Sequence, residues 1–308
     1  MGLDEKIWIA RYQLRSKGLL NARSERGVFE GALIRRGSGF SALHPWPELG
    51  DPSLDECLED LAHQKTEMIV QKALMWLSAD GCAREEGRSL FEQQPLALNH
   101  ATIPQLTEQK LSRAVENGFG FVKTKVGRQF IEELEFIQQL SRSWPELRWR
   151  IDFNGLGQEL ELREALSKWS EQELSRIDFL EDPIMGHAED WSRLSLDLGL
   201  CLASDRWGKS FCDDAKVRVL KPAVDLIEPS PDRRVVTSYM DHPIGQSFAA
   251  WESLKIDQSE VFGLMTHELF EPNDFSEFLG LASPVFSIPD GTGIGFDDCL
   301  EQLDWKVL

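Results

Sequence analysis

Phe121-Val-Lys-Thr-Lys125, Arg148-Trp-Arg-Ile-Asp152-Phe-Asn154, Asp178-Phe-Leu-Glu181-Asp-Pro183, Cys201-Leu-Ala-Ser-Asp205 and Val217-Arg-Val-Leu-Lys221 are five short apolar runs, and each ends in charge. From Lys125 the charged positions follow at steps of 27, 29, 24 and 16 residues. A strand, a helix and two short loops take roughly 20–30 residues, so the first three steps predict consecutive βα units. Alternation along a strand splits each run into two faces. Trp149, Ile151 and Phe153 share one face, Arg150 and Asp152 the other; Lys123 and Lys125 likewise share a face opposite Val122 and Thr124. An apolar outer face under helices and a charged inner face describe a parallel barrel. Inward charge is tolerated only if it pairs or binds a metal.

Working outward, residues 95–284 carry this rhythm and residues 1–94 do not. Helices are predicted over 107–117, 130–143, 160–175, 190–198 and 245–254, with a first strand at Pro95–His100 and last strands at Arg233–Tyr239 and Val261–Thr266. Only the stretch Pro222–Arg233, with Pro222, Pro229 and Pro231, separates Lys221 from the next strand, so one barrel helix is expected to be missing. The first 94 residues read as a small α+β capping domain, joined by the tail 285–308. It has paired strands at 6–14 and 28–35, helices from Ser53 and around Lys72, and two loops, 16–26 and 37–52, as flaps over the barrel.

A chain of 308 residues with 42% hydrophobic content suits one barrel with an added piece. A net charge of −19 argues against nucleic acid or an anionic membrane as partner. The five cysteines, Cys57, Cys82, Cys201, Cys212 and Cys299, have no CxxC spacing, which predicts reduced thiols and a cytoplasmic setting. No window has the length and apolarity of a membrane span. The oligomeric state, monomer or homo-oligomer, stays open.

Active sites of parallel barrels lie at the strand C-termini, where Asp152, Glu181 and Asp205 fall on three consecutive strands. Three hard oxygen ligands without His or Cys suit Mg2+, with Mn2+ as a substitute. A substrate carboxylate held there accepts the charge that develops as its α-proton leaves. A lysine near a cation and a second lysine has a lowered pKa and can act as base. Singly, these residues have plainer explanations: a snorkelling strand lysine, a loop-capping Asp, an ion-paired arginine. His242 and His267 read as structural, Asp182 as a structural partner, Trp207 as packing, and Gly291–Gly295 as a turn. The ordered set is what points to chemistry.

That set, Lys123-Thr-Lys125, Asp152-Phe-Asn154, Glu181-Asp-Pro183 and Lys221-Pro222, resembles the muconate-lactonizing-enzyme subgroup of the enolase superfamily. The resemblance implies Asp152, Glu181 and Asp205 as metal ligands, Lys125 as base and Lys221 as the lysine of the opposite face. Within the subgroup the chain is similar to the o-succinylbenzoate synthases of menaquinone biosynthesis. Arg150 matches a substrate-side arginine of that family, Lys123 joins the substrate-binding set, and Ser238 offers a hydrogen bond to a succinyl carboxylate. The implied reaction is a syn-dehydration of a small-molecule carboxylate. A dipeptide epimerase or N-acylamino acid racemase on the same residues, and a non-catalytic metal-binding relative, are the rival readings. Arg206, directly after Asp205, departs from the acidic residue common in the superfamily.

Overall fold

The computed structural model describes residues 6–20, 24–63, 67–91, 96, 98–127, 129–205 and 215–308. Arg206, Trp207, Cys212 and parts of the predicted 16–26 loop and 95–100 strand lie outside them. The N-terminal layer is an antiparallel sheet of β1 (Ile7–Arg15), β2 (Val28–Arg36) and β3 (Gly39–Leu43), backed by α1 (Leu54–His63) and α2 (Met68–Glu85). β3 corrects the expectation that 37–52 is loop throughout. Its Gly-Phe-Ser-Ala-Leu is short and lies between Gly37 and Pro45, yet it pairs with β2 from Ala32↔Leu43 to Arg36↔Gly39.

The barrel follows in chain order: β4 (Ala101–Ile103), α3 (Glu108–Glu116), β5 (Phe121–Lys125), α4 (Phe130–Ser143), β6 (Arg148–Asp152), α5 (Glu159–Ser167), α6 (Glu171–Leu174), β7 (Ile177–Glu181), α7 (Ala188–Leu198), β8 (Leu202–Ser204), β9 (Val217–Leu220), β10 (Arg233–Val236) and α8 (Pro243–Ser253). Strands β4 to β10 form one parallel sheet in sequence order. Single parallel bridges, Asn99↔Phe262 and Thr237↔Gly263, close it, so residues 262–263 take the eighth position. The first barrel strand is thus displaced from 95–100 to 101–103, with the preceding residues used for closure. The expected 160–175 helix is two helices, interrupted around the buried Trp169. No helix joins β9 to β10, in keeping with the prolines.

Trp149, Ile151 and Phe153 are wholly buried beneath the helices, with Val122, Leu134 and Leu162 in the same apolar cluster. The capping layer meets the barrel at α8, where Trp76 stacks on Phe248 with centroids 4.8 Å apart and Lys72 pairs with Glu252 at 2.7 Å. The chain ends in α9 (Asp274–Leu279), α10 (Asp297–Glu301) and β11 (Lys306–Val307). β11 pairs antiparallel with β1, so the C-terminus completes the capping sheet.

Candidate active site

β5, β6 and β7 are neighbours in register, with Lys125 opposite Asp152 and Asp152 opposite Glu181. This places the lysines and two carboxylates on the inner face at the strand ends. The chain then turns sharply. Asn154 and Asp182 adopt left-handed backbone (φ 51° and 43°), a conformation that Asn and Asp tolerate better than most residues. Each turn is tied by a carboxylate: Asp152 Oδ1 accepts the Asn154 N–H at 3.0 Å, and Asp182 Oδ1 accepts the Asp205 N–H at 3.2 Å. Asp182 is therefore a structural partner that fixes the Asp205 backbone.

Lys123 Nζ donates to Glu181 Oε1 at 2.6 Å and lies 3.4 Å from Asp152 Oδ2. Lys125 Nζ is 3.9 Å from Asp152 Oδ2, and Lys221 donates to Asp205. These charges bear on one another. Burial opposes the Lys123 charge, but Glu181, Asp152 and Asp205 outweigh it and hold the ammonium well above its usual pKa. For Lys125 burial wins: with Lys123 and Lys221 adding to it against Asp152, the pKa falls below 10.5. Burial lifts Glu181 to about 7 despite Lys123, with Asp152 and Asp205 adding to the rise.

One cavity is lined by Lys123, Lys125, Asp152, Asp205, Lys221 and Ser238. Trp46 and Leu49 of the capping layer line its wall, and Leu19 and Leu20 line an adjoining cleft that also reaches Lys125. Both predicted flap regions therefore contribute to the site. Ser238 is buried, its hydroxyl 2.8 Å from that of Thr266. Glu181 is buried just beyond the lining, bonded to Lys123.

Arg150 is not at the substrate side, which corrects the expectation for it. The side chain is wholly buried lower in the barrel, with Nε on Asp178 at 2.7 Å and Nη2 on Glu260 at 2.9 Å. Its Nη1 donates to the Val261 carbonyl at 2.6 Å and meets His100 Nδ1 at 3.0 Å. Strand alternation put it on the inner face but could not give its depth. His242 caps α8 by accepting the Ile244 N–H, and His267 bonds the Gly280 carbonyl; neither lines the cavity. His100, Thr102 and Thr237 do line it and were missed. His100 had a signal, since it ends a predicted barrel strand.

The residues suit a divalent cation in donor chemistry. Asp152 and Glu181 are buried, and Glu181 Oε2 has no hydrogen-bond partner among the described residues. Glu181, buried and close to two further carboxylates, resists ionisation, and a cation beside it would offset both effects. As they stand, no three His, Cys, Asp or Glu side chains among the described residues converge to hold an ion, because lysine ammonium groups take the carboxylate oxygens.

Residues 7–83 match the family model of the o-succinylbenzoate synthase N-terminal domain. The whole chain is 29% identical to an o-succinylbenzoate synthase of Bdellovibrio bacteriovorus, with 98% of each chain covered. Among solved structures, an enolase-superfamily member from Listeria innocua superposes with a TM-score of 0.77 at 15% identity, covering 99% of this chain and 98% of that one. An N-succinyl Arg/Lys racemase from Bacillus cereus gives 0.76 at 11% identity, with 99% of both chains covered. With its capping sheet, its closed parallel barrel and a charged site at the strand ends, the chain has the enolase-superfamily fold and resembles, along nearly its whole length, an o-succinylbenzoate synthase.

Proposed function

We propose that the chain is an o-succinylbenzoate synthase, a hydro-lyase that dehydrates 2-succinyl-6-hydroxy-2,4-cyclohexadiene-1-carboxylate to 2-succinylbenzoate in menaquinone biosynthesis. The observation that carries this choice among reactions on the fold is the near-full-length likeness to the Bdellovibrio protein. Asp152, Glu181 and Asp205 would hold Mg2+, which supplies positive charge for the substrate carboxylate as its α-carbon becomes electron-rich. Lys125, its pKa lowered, takes the α-proton as the free amine. The electron pair of that C–H bond forms the ring double bond as the C–O bond breaks, and Lys125 returns the proton to the departing hydroxyl as water. Lys221, paired with Asp205, stays cationic on the opposite side. A cytoplasmic setting belongs to this reading; Cys57, Cys82, Cys201 and Cys299 are free thiols, and no helix among the described residues is long and apolar enough to cross a membrane.

The test is turnover of that substrate with Mg2+ by the wild type and by Lys125→Ala. Aromatic product from the wild type, reduced by about 10²–10⁴-fold or more in the variant, supports the assignment. No product from folded, metal-loaded wild type sinks it. A second reading, racemisation of an N-acylamino acid, is favoured by one observation: Lys125 and Lys221 both line the cavity, as a two-base exchange requires. In D2O that reaction incorporates deuterium at the α-carbon of an N-succinylamino acid, and Lys221→Ala abolishes it from one enantiomer.

A further inference from the structure

We propose that His100 is a permanently neutral hydrogen-bond donor, fixed as the Nε2–H tautomer, that holds an acceptor oxygen of the substrate in the floor of the site. This rests on the reading of that cavity as the place where a carboxylate substrate binds. The first step is the Arg150 contact. A guanidinium has donors and no acceptor, so the imidazole Nδ1, 3.0 Å from Arg150 Nη1, must present its lone pair. The single proton of the neutral ring is then on Nε2. A second proton on Nδ1 would face the guanidinium, which is itself locked by Asp178, Glu260 and the Val261 carbonyl. Burial, Arg150 and Lys123 all act against the imidazolium.

The second step is where the donor goes. His100 lines the same cavity as Lys125 and Lys221, and among the described residues the only hydrogen bond of its side chain is the one at Nδ1. Gly263 lies against the ring edge: a Cβ there would come within 2.4 Å of His100 Nε2 and 3.0 Å of Thr237 Cγ2. The missing side chain is what lets the ring pack against the Gly263 backbone in the cavity wall. Thr237 lines the same cavity with its methyl towards Gly263, and its buried hydroxyl has no hydrogen-bond partner among the described residues. A fixed N–H in the cavity wall needs an acceptor, such as a ketone or carboxylate oxygen, and disfavours an amide N–H against it; the Thr237 hydroxyl donates or accepts alike. His100 is thus a selecting and positioning group for the ligand, while proton transfer stays with Lys125.

Long-range 1H–15N spectra of the full chain, labelled at histidine and loaded with Mg2+, test the tautomer directly, with His100→Gln identifying the signal. The expected pattern is Nε2–H, unchanged from pH 5.5 to 8.5, with the Nε2 resonance moving as 2-succinylbenzoate saturates the site. In turnover, His100→Gln, whose amide N–H replaces Nε2–H, keeps kcat/KM within about tenfold of the wild type, while His100→Leu loses at least ten times more. An Nδ1–H pattern, titration within that range, a saturating ligand that leaves the resonance unmoved, or equal loss in both variants overturns the proposal. Should 2-succinylbenzoate fail to bind while N-succinyl-L-arginine binds, the synthase reading falls and the same resonance decides the donor with that probe. Binding of neither overturns both.

Discussion

Arg150 and Asp152 lie two residues apart on one strand and point to the same side, yet they work at different depths of the barrel. Asp152 stands among the lysines at the strand ends, whereas Arg150 ties Asp178 to Glu260 below. Arg233 bonds the same two carboxylates, so two guanidiniums and two carboxylates form a closed network in which Arg150 is wholly buried and the other three are partly exposed. Without Arg150 the two partly buried carboxylates share one guanidinium, and Arg150→Met is expected to cost about 1.5–3 kcal/mol in equilibrium denaturation. A variant as stable as the wild type would show the network to be idle. Lys125 carries a second prediction. A base must be unprotonated to act, so kcat/KM rises with pH through the lowered Lys125 pKa and levels off below the ordinary lysine value of 10.5. A pH–rate profile still climbing at 10.5 contradicts the lowering. Both lysines were legible in the sequence because pattern gives residue type, face and order along the strands. The role of Arg150 was not, because the acids that claim it, Asp178 and Glu260, lie 28 and 110 residues away in sequence.

Among the elements, the best-read ones repeat a strong local signal. α4 matches its predicted range, and α3 is capped by the Thr107 hydroxyl on the Lys110 N–H. β3 was hidden because a few residues of strand have almost no period to read; its pairing with β2, not its own propensity, defines it, whereas the closing residues 262–263 fall inside the strand expected at 261–266. The break between α5 and α6 has a legible device. Ser170 and Glu173 form a capping box, and Glu173 also accepts from Gln138 and Arg142 of α4, binding the short helix to its neighbour. Burial alone would raise the Glu173 pKa, but the Arg142, Ser170 and Gln138 bonds outweigh it and lower it from 4.5 to about 2. A carboxylate whose pKa is lower when folded stabilises the fold fully above 4.5 and loses that contribution as pH falls from 4.5 towards 2. Glu173→Gln is therefore expected to lower stability by about 1.5–3 kcal/mol at pH 7 and to flatten its decline over that acid range. Parallel acid dependences for variant and wild type would contradict the assignment.

At the scale of the molecule, cap and barrel are joined through buried polar groups as well as through apolar surface. Trp46 donates to the Tyr239 carbonyl at 2.9 Å, and the Tyr239 hydroxyl reaches back to Asp51 at 2.7 Å. The tail returns to the cap, where Asp80 accepts the Ile294 N–H at 2.6 Å. Lys72 of α2 spans the boundary to Glu252 of α8, both almost wholly buried, and Trp76 Nε1 donates to the same carboxylate. Such a boundary has no stable half, since separating the two parts would expose these groups together with the Trp76–Phe248 stack. We therefore expect cooperative unfolding, even though the two parts differ in architecture. Glu252→Gln isolates this point: the Trp76 bond survives, but Lys72 is left as a buried cation without its anion, at a cost of about 3–5 kcal/mol. Native-state hydrogen exchange reads both sides of the boundary at once, through Leu33 and Ile34 in β2 and Ile151 in β6. If the joint is cooperative, all three amides lose the same opening free energy in the variant. If β2 alone is weakened, the cap opens by itself, and substrate entry past Trp46 and Leu49 needs no change in the barrel.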